Sequence, residues 1–335
     1  MEPIPDLLID RFGRQVNYLR LSVTDRCDFR CVYCMAEDME FVPKAQVLSL
    51  EELYQVGQAF VELGVRKIRL TGGEPLVRNN ILSLVQRLGK LPGLDELALT
   101  TNGSQLPRMA QPLRDAGVSS LNISIDSLQA RKFRRLTRYG NLDQVVDGID
   151  AAGAAGFERL KLNSVIMRGH NDDEVLDLVA FARDRGLDIA FIEEMPLGNI
   201  VEHDRELSLC GSDELRTLIG AKHQLQALGD PSGSAGPARY YQLDGGPTRV
   251  GFISPHTNNF CHLCNRVRVT VEGRLLLCLG NEHSVDLRTL LRSRDVSMDS
   301  LKREIVSAMD IKPERHHFDN PDEPQIVRFM NMTGG

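Results

Sequence analysis

A chain of 335 residues, 42% hydrophobic and 26% charged, has room for one large domain plus a smaller appendage and the composition of a soluble globular enzyme. Its formal net charge of −6, with no long basic run, excludes nucleic-acid binding by bulk electrostatics but permits a local basic pocket. The opening Met1-Glu2-Pro3-Ile4-Pro5-Asp6 lacks the features of a signal peptide, and no apolar run approaches the ~20 residues that span a bilayer, so a cytoplasmic location is expected.

From Tyr18 to Met195 short apolar runs alternate with amphipathic patterns. The runs predict strands over Tyr18–Val23, Lys67–Thr71, Glu96–Thr100, Ser120–Ile125, Leu160–Ile166 and Asp188–Ile192. Between them, Ser49-x-x-Glu52 reads as a capping box ahead of Leu53, Val56 and Phe60. Leu142, Val145, Val146 and Ile149 follow helical spacing, as do Val175, Leu178, Val179 and Ala182. Six strand–helix units imply a parallel α/β sheet curved into a partial or full TIM-type (β/α) barrel, with a doubly wound open sheet as the competing arrangement. Arg69 with Thr71, Asn122 with Ser124, and Lys161 with Asn163 alternate with apolar neighbours, so each pair lies on one strand face. An open sheet covered on both sides would read almost uniformly apolar. Polar residues repeated on one face fit a barrel whose interior is a working cavity.

After Pro196 the pattern changes. Gly229 to Pro237 reads as a flexible connector, followed by strand-like runs over Arg239–Leu243, Arg249–Ile253, Val267–Val271 and Leu275–Cys278. Helical patterns come last, around Leu287–Leu291 and Leu301–Met309. The expected division is a barrel over residues 1–238 and a smaller α+β module over 239–335.

Six of the seven cysteines fall in two local triplets, which is metal usage in a reducing compartment and not disulfide usage. Cys27, Cys31 and Cys34 form C-x3-C-x2-C directly after the first strand, at the C-terminal mouth where barrel active sites collect. Three thiolates can hold three irons of a 4Fe–4S cluster and leave the fourth open, whereas structural sites of zinc or iron–sulfur type normally take four ligands. Zinc with a distant fourth ligand is the alternative. The second strand ends in Thr71-Gly72-Gly73-Glu74-Pro75, where paired glycines let the backbone approach a ligand. Cys261, Cys264 and Cys278 repeat the three-ligand pattern, with His262 or His256 able to complete a zinc site instead. Beside them, Arg266 and Arg268 share a strand face suited to an anionic or oxygen-rich substrate. Arg20 is a charge inside an apolar strand, costly unless an anion pairs with it. Cys210 belongs to neither triplet and reads as an ordinary thiol, and His316-His317 as a solvated loop pair.

The first triplet, with Tyr33 before its last cysteine, and Gly-Gly-Glu-Pro resemble the radical S-adenosylmethionine superfamily. The second triplet, Cys-x-x-Cys-Asn-Arg-x-Arg and the terminal Gly334-Gly335 resemble, nearly end to end, its branch that acts on GTP to open molybdenum-cofactor synthesis. That resemblance implies two 4Fe–4S clusters, the first chelating S-adenosylmethionine and cleaving it to a 5′-deoxyadenosyl radical. It implies cofactor contacts at Tyr33, Gly73, Ser124 and Met195, and GTP contacts at Arg20, Arg69, Thr100, Lys161, Arg266 and Arg268. The radical would take hydrogen from the ribose C3′, which then attacks C8 of guanine, while the second cluster faces the base. Arg266, Arg268 and a Gly334-Gly335 tail inserted into the site are the implied catalytic elements. A reductant such as flavodoxin or ferredoxin and a downstream cyclic pyranopterin monophosphate synthase are the implied partners. One departure stands out: Ala190 occupies the position of a basic residue in the branch, so one phosphate contact is either lost or replaced from elsewhere, with Lys67, Arg69 and Lys161 able to supply charge. The rival readings are a peptide-maturing radical enzyme with an auxiliary cluster and a non-catalytic zinc or iron–sulfur module.

Overall fold

Each apolar run of the first half forms a strand in the computed structural model, which describes residues 3–198, 200, 204–229, 237–258, 260–316, 318 and 326–334. The strands are β1 (Tyr18–Ser22), β2 (Lys67–Thr71), β3 (Glu96–Thr101), β4 (Ser120–Ser124), β5 (Arg159–Ile166) and β6 (Asp188–Glu193). They alternate with helices α1 (Leu50–Glu62), α2 (Ile81–Leu88), α3 (Leu106–Asp115), α4 (Ala130–Thr137), α5 (Leu142–Ala154) and α6 (Val175–Asp184). The capping box opens α1: Glu52 N donates to Ser49 Oγ at 3.1 Å, and Ser49 N donates to the Glu52 carboxylate at 2.7 Å. Short helices α7 (Arg205–Ser208) and α8 (Ser212–Gly220) follow β6.

The six strands pair in parallel and in chain order. A doubly wound sheet would reverse its strand order at a switch point, and this one does not. The remaining strands, β7 (Leu225–Ala227), β8 (Arg239–Leu243), β9 (Arg249–Ile253), β10 (Arg266–Val269), β11 (Arg274–Leu276) and β12 (Ser284–Asp286), extend the sheet at both ends. β9 joins β6 in parallel and carries antiparallel β8 and β7, while β10 joins β1 in parallel and carries antiparallel β11 and β12. The order runs from β12 to β7 without closing, so the barrel is partial. The C-terminal segment thus supplies both flanks of the barrel sheet as well as α9 (Leu287–Leu291), α10 (Met298–Ala308) and α11 (Met330–Thr333).

Register decides which face is which. Leu19, Leu21, Ile68, Leu70, Leu97, Leu99, Leu121, Ile123 and Leu162 point outward into one core with the helices. The alternate positions face the lumen, and the ladder pairs Arg268 with Arg20, Arg20 with Arg69, Thr100 with Asn122, Asn122 with Lys161, and Ser124 with Asn163. Among the described residues no helix is long and apolar enough to cross a membrane.

A buried carboxylate locks the exit of β6. Glu193 accepts from Ser212 N at 3.0 Å, His256 N at 3.1 Å, Thr257 N at 3.2 Å and Thr257 Oγ1 at 2.5 Å. It therefore ties α8 and the chain after β9 to the strand that leads into Met195. Replacing it leaves several buried donors unsatisfied, at about 1–3 kcal/mol each. Glu193→Ala is expected to lower unfolding free energy by about 3 kcal/mol or more, and Glu193→Gln by less, as read by denaturant titration.

Candidate active site

The first cysteine loop leaves β1 and is laced to α4. Arg30 N donates to Thr137 O at 2.9 Å, Val32 N donates to Leu136 O at 3.0 Å, and Phe29 meets Phe133 edge-on. Phe29 N also donates to Cys27 Sγ at 3.4 Å. Asp28 is gripped by Asn102, Ser104 and Gln105 from the end of β3. Burial pushes the Cys27 and Cys31 thiols up, with nearby carboxylates adding to it, and raises Cys34 to about 12. Thiols held this way ionise when a metal supplies the opposing charge.

The Gly72-Gly73 turn lies directly against the chain entering that loop. Gly73 N donates to Thr24 O at 2.8 Å and Glu74 N to Arg26 O at 2.9 Å. A Cβ on Gly72 would stand 2.2 Å from Thr24 O, and Gly72 has φ +152°, so only glycine lets the two segments meet. Glu74 is buried. It accepts from Leu76 N, Thr101 Oγ1 and Asn102 N, while burial pushes its carboxyl up to about 8. Tyr33 donates to Asp126 at 2.7 Å, and Asp126, which burial raises to about 6, also accepts from Val165 N at 2.8 Å. A cleft of about 1050 Å³, open to solvent, is lined by the three cysteines together with Tyr33, Gly73, Ser124 and Met195. On its wall Thr71 Oγ1 and Asn163 Oδ1 are buried without a hydrogen-bond partner among the described residues, as expected of a site built for a polar ligand.

The second triplet sits at the other end of the strands. Cys264 precedes β10 and Cys278 follows antiparallel β11, both on the level of Arg266, which is paired with Tyr18 at the start of β1. The first triplet follows the end of β1, so the two loops are separated by at least the ~13 Å that four strand residues span. Cys261, Cys264 and Cys278 line a second cavity of about 630 Å³ with Arg266 and Arg268, and Met195 lines both cavities. Burial works to raise Cys264, but Arg266 and Lys312 outweigh it and bring the thiol down to about 7. Among the described residues no three His, Cys, Asp or Glu side chains gather around a single ion. A four-iron cluster is held at different corners, so its thiolates need not meet at one point. His262 is exposed, and His256 Nε2 is engaged with Glu194 O at 2.8 Å.

Between the loops lie the cations. Arg69 is buried and donates from Nε to Tyr18 Oη at 2.7 Å and toward Thr100 Oγ1 at 3.5 Å. Arg20 Nε donates to Gly334 O at 3.3 Å, and Arg268 also donates to that carbonyl. Gly334 is brought to the lumen arginines by way of α11: Met330 N donates to Cys34 O and Asn331 Nδ2 to Asp25 O. Gly334 has φ +75°, and a Cβ there would clash with Thr71 Oγ1. Gly335 lies outside the described residues, as do His317 and residues 230–236 of the expected connector.

The comparisons with known proteins agree with this geometry. The radical SAM superfamily pattern matches residues 21–182, and a molybdenum cofactor synthesis C-terminal pattern matches 187–318. A GTP 3′,8-cyclase of Pseudomonas entomophila is 63% identical over 336 residues, covering 100% of both chains, and one of Marinobacter nauticus is 63% identical over 328 residues, 98% of each. The chain belongs to the GTP 3′,8-cyclase family. The crystal structure of Streptococcus suis SuiB bound to S-adenosylmethionine aligns with a TM-score of 0.62 at 13% identity, over 89% of this chain and 69% of that one. That likeness bears on the fold alone. The family's cofactors are two 4Fe–4S clusters and S-adenosylmethionine, and the donor sets of three cysteines in each cavity fit them.

Several residues escaped the sequence reading. His316 is not solvated: it is buried with its ring 4.3 Å from Phe318, because residues 312–316 form a strap across the second cysteine loop. Arg14 pins that strap by donating to Pro313 O, Glu314 O and Cys261 O. Cys210 is a buried core thiol, outside both cavities. Ala190 pairs with Gly251, and Gly251 with Tyr240, in one lumen-facing row. The two small residues leave room for the Tyr240 ring, whose hydroxyl accepts from Lys161 Nζ at 3.2 Å. A tyrosine the sequence reading missed thus stands beside Ala190.

Tyr18 was read only as a strand residue, yet its hydroxyl sits among the lumen cations. Burial pushes the phenol up, but Arg69, Arg20, Lys67 and Arg266 pull it down to about 6. A folded pKa below the usual 10 stabilises the fold fully above pH 10 and loses that contribution as pH falls through about 6. The chain has six tyrosines and no tryptophan, so one phenolate is readily seen. Metal-free protein at neutral pH is expected to show near-ultraviolet phenolate absorbance that titrates near pH 6 and disappears in Tyr18→Phe.

Proposed function

We propose that this chain converts GTP to 3′,8-cyclo-7,8-dihydro-GTP, the opening step of molybdenum-cofactor synthesis. The observation that supports it most is the arrangement of two three-cysteine loops at opposite ends of β1 and β10, with Arg20 and Arg268 paired between them. When bound, the first cluster and S-adenosylmethionine supply reductive one-electron cleavage of the sulfonium and so remove hydrogen from the ribose C3′.

The chain's own residues hold the reactants. Gly72 and Gly73 bring bare backbone to the cofactor cleft, while Tyr33 is fixed by Asp126 and Met195 separates the two cavities. Arg20, Arg69, Lys161, Arg266 and Arg268 carry positive charge for the triphosphate and base, and Thr100 adds a hydroxyl. Lys161 and Tyr240 take the place of the base absent at Ala190, a phenol hydroxyl being able to donate to a phosphate oxygen. Gly334 covers the lumen and helps keep water from the radical, and its carbonyl orients Arg20 and Arg268. In the substrate, C3′ loses hydrogen, a C3′–C8 bond forms, and the ring nitrogen takes up one electron and one proton. A low-potential one-electron donor of the flavodoxin or ferredoxin type supplies reducing equivalents, and the product passes to a cyclic pyranopterin monophosphate synthase. Seven free cysteines fit a reducing, cytoplasmic setting.

Anaerobic incubation of reconstituted, reduced protein with S-adenosylmethionine and GTP is expected to give a cyclised GTP product together with 5′-deoxyadenosine. Cofactor cleavage without any such product would overturn the reading. Cys264→Ser is expected to keep cofactor cleavage and lose product. Tyr240→Phe is expected to raise KM for GTP by about tenfold, the equivalent of one charge-assisted hydrogen bond, with cofactor cleavage in the absence of GTP unchanged.

A further inference from the structure

Lys312 is 1% exposed, among the largest fully buried side chains of the protein. It follows a 3-10 turn, Met309–Ile311, at the head of the strap that crosses the second cysteine loop. Its Nζ donates to Leu277 O at 2.6 Å, to Arg266 O at 3.3 Å and to Cys264 Sγ at 3.7 Å. Three acceptors around one nitrogen match the three N–H bonds of an ammonium and leave no lone pair to satisfy. Yet among the described residues Lys312 forms no ion pair with a carboxylate. Arg14, the cation that pins the strap from outside it, is instead matched by Asp10 at 2.6 Å. A buried ammonium without a counter-ion is costly, so something at this place must supply negative charge.

The anion at hand is the sulfur it touches. Leu277 O adjoins Cys278, and Arg266 O lies two residues from Cys264, so one ammonium ties together both chain segments that carry ligands. We infer that Lys312 is the charge partner of the second cluster, holding Cys264 and Cys278 in register and raising the reduction potential of that cluster. The inference rests on the reading that the second triplet holds a 4Fe–4S cluster. Adding one electron to such a cluster makes it more negative, and a fixed neighbouring cation favours that state. The couple exchanges one electron with an external reductant.

The test is a redox titration of reconstituted protein with dithionite, followed by electron paramagnetic resonance. The three first-triplet cysteines are replaced by serine so that only the second cluster reports. Lys312→Met should shift the reduction equilibrium of that cluster at least tenfold toward the oxidised form, which is 59 mV for a one-electron couple. Lys312→Arg should recover most of the shift. If the methionine variant fails to take up iron, Lys312→Gln against Lys312→Arg carries the comparison, since both can donate hydrogen bonds but only arginine is charged. Equal potentials in the neutral variant and the parent, at equal iron content, would overturn the inference while leaving GTP cyclisation untouched. Zinc in place of iron at the second triplet of the parent would overturn both. Loss of cyclisation with the potential shift intact would count against the proposed function alone.

Discussion

Positive charge inside the barrel is the constraint on which the rest of this structure depends. Arg20, Arg69 and Arg268 occupy lumen-facing positions of three neighbouring strands and stand side by side in the ladder. Arg69 and Arg268 are buried, and the partners that hold them are a phenol and backbone carbonyls. Guanidiniums at the spacing of adjacent strands repel one another, and burial strengthens that repulsion. Burial together with Arg20 and Arg266 holds Arg268 well below the ordinary arginine range. Such an arrangement survives because the outer core is large and apolar enough to carry it. A polyanion placed among these guanidiniums would relieve their repulsion. The Gly334 carbonyl and the Tyr18 hydroxyl, which the surrounding cations pull down to about 6, answer the same electrostatic problem from different sides.

How far this was legible in the sequence depends on the range of the interaction involved. The six barrel strands and the capping box of α1 follow from local periodicity, and β2 begins and ends where its apolar pattern does. The lumen face was legible too, because polar residues at every second position of a helix-covered strand need a cavity. Arg69, Lys161, Arg266 and Arg268 were found that way. Where pairing is non-local the reading fell short. Nothing in the run Arg249–Ile253 says that it joins β6, or in Arg266–Val269 that it joins β1, about sixty and about two hundred and fifty residues away respectively.

The residues missed share a property. Tyr240, Tyr18, Lys312 and His316 look ordinary in their own segments and become functional candidates only through partners far along the chain. Tyr240 needs the Ala190–Gly251 gap before its hydroxyl can reach Lys161. His316 needs Arg14 to fold the strap down before it can be buried. Lys312 reads as a surface lysine next to Pro313 until the loop carrying Cys264 closes over it. Period and spacing report the element a residue belongs to. They do not report who stands opposite it.

The same three-cysteine ligand set is placed in two opposite electrostatic settings. Around the first triplet the side chains that add to burial in pushing the thiols up are carboxyls, Glu74 and Asp28 beside Cys27 and Asp126 beside Cys31 and Cys34, while the Arg30 guanidinium donates to Cys27 O at 2.7 Å. Around Cys264 they are the cations of Arg266, Lys312 and Arg14. Negative neighbours disfavour an added electron and positive ones favour it, so the two settings would tune the same ligand set differently. Cleaving a sulfonium requires an electron at low potential, whereas closing out a nitrogen-centred radical on the substrate requires only that an electron be available nearby. The sequence composition hides this asymmetry, because a net charge of −6 is the sum of both neighbourhoods and describes neither.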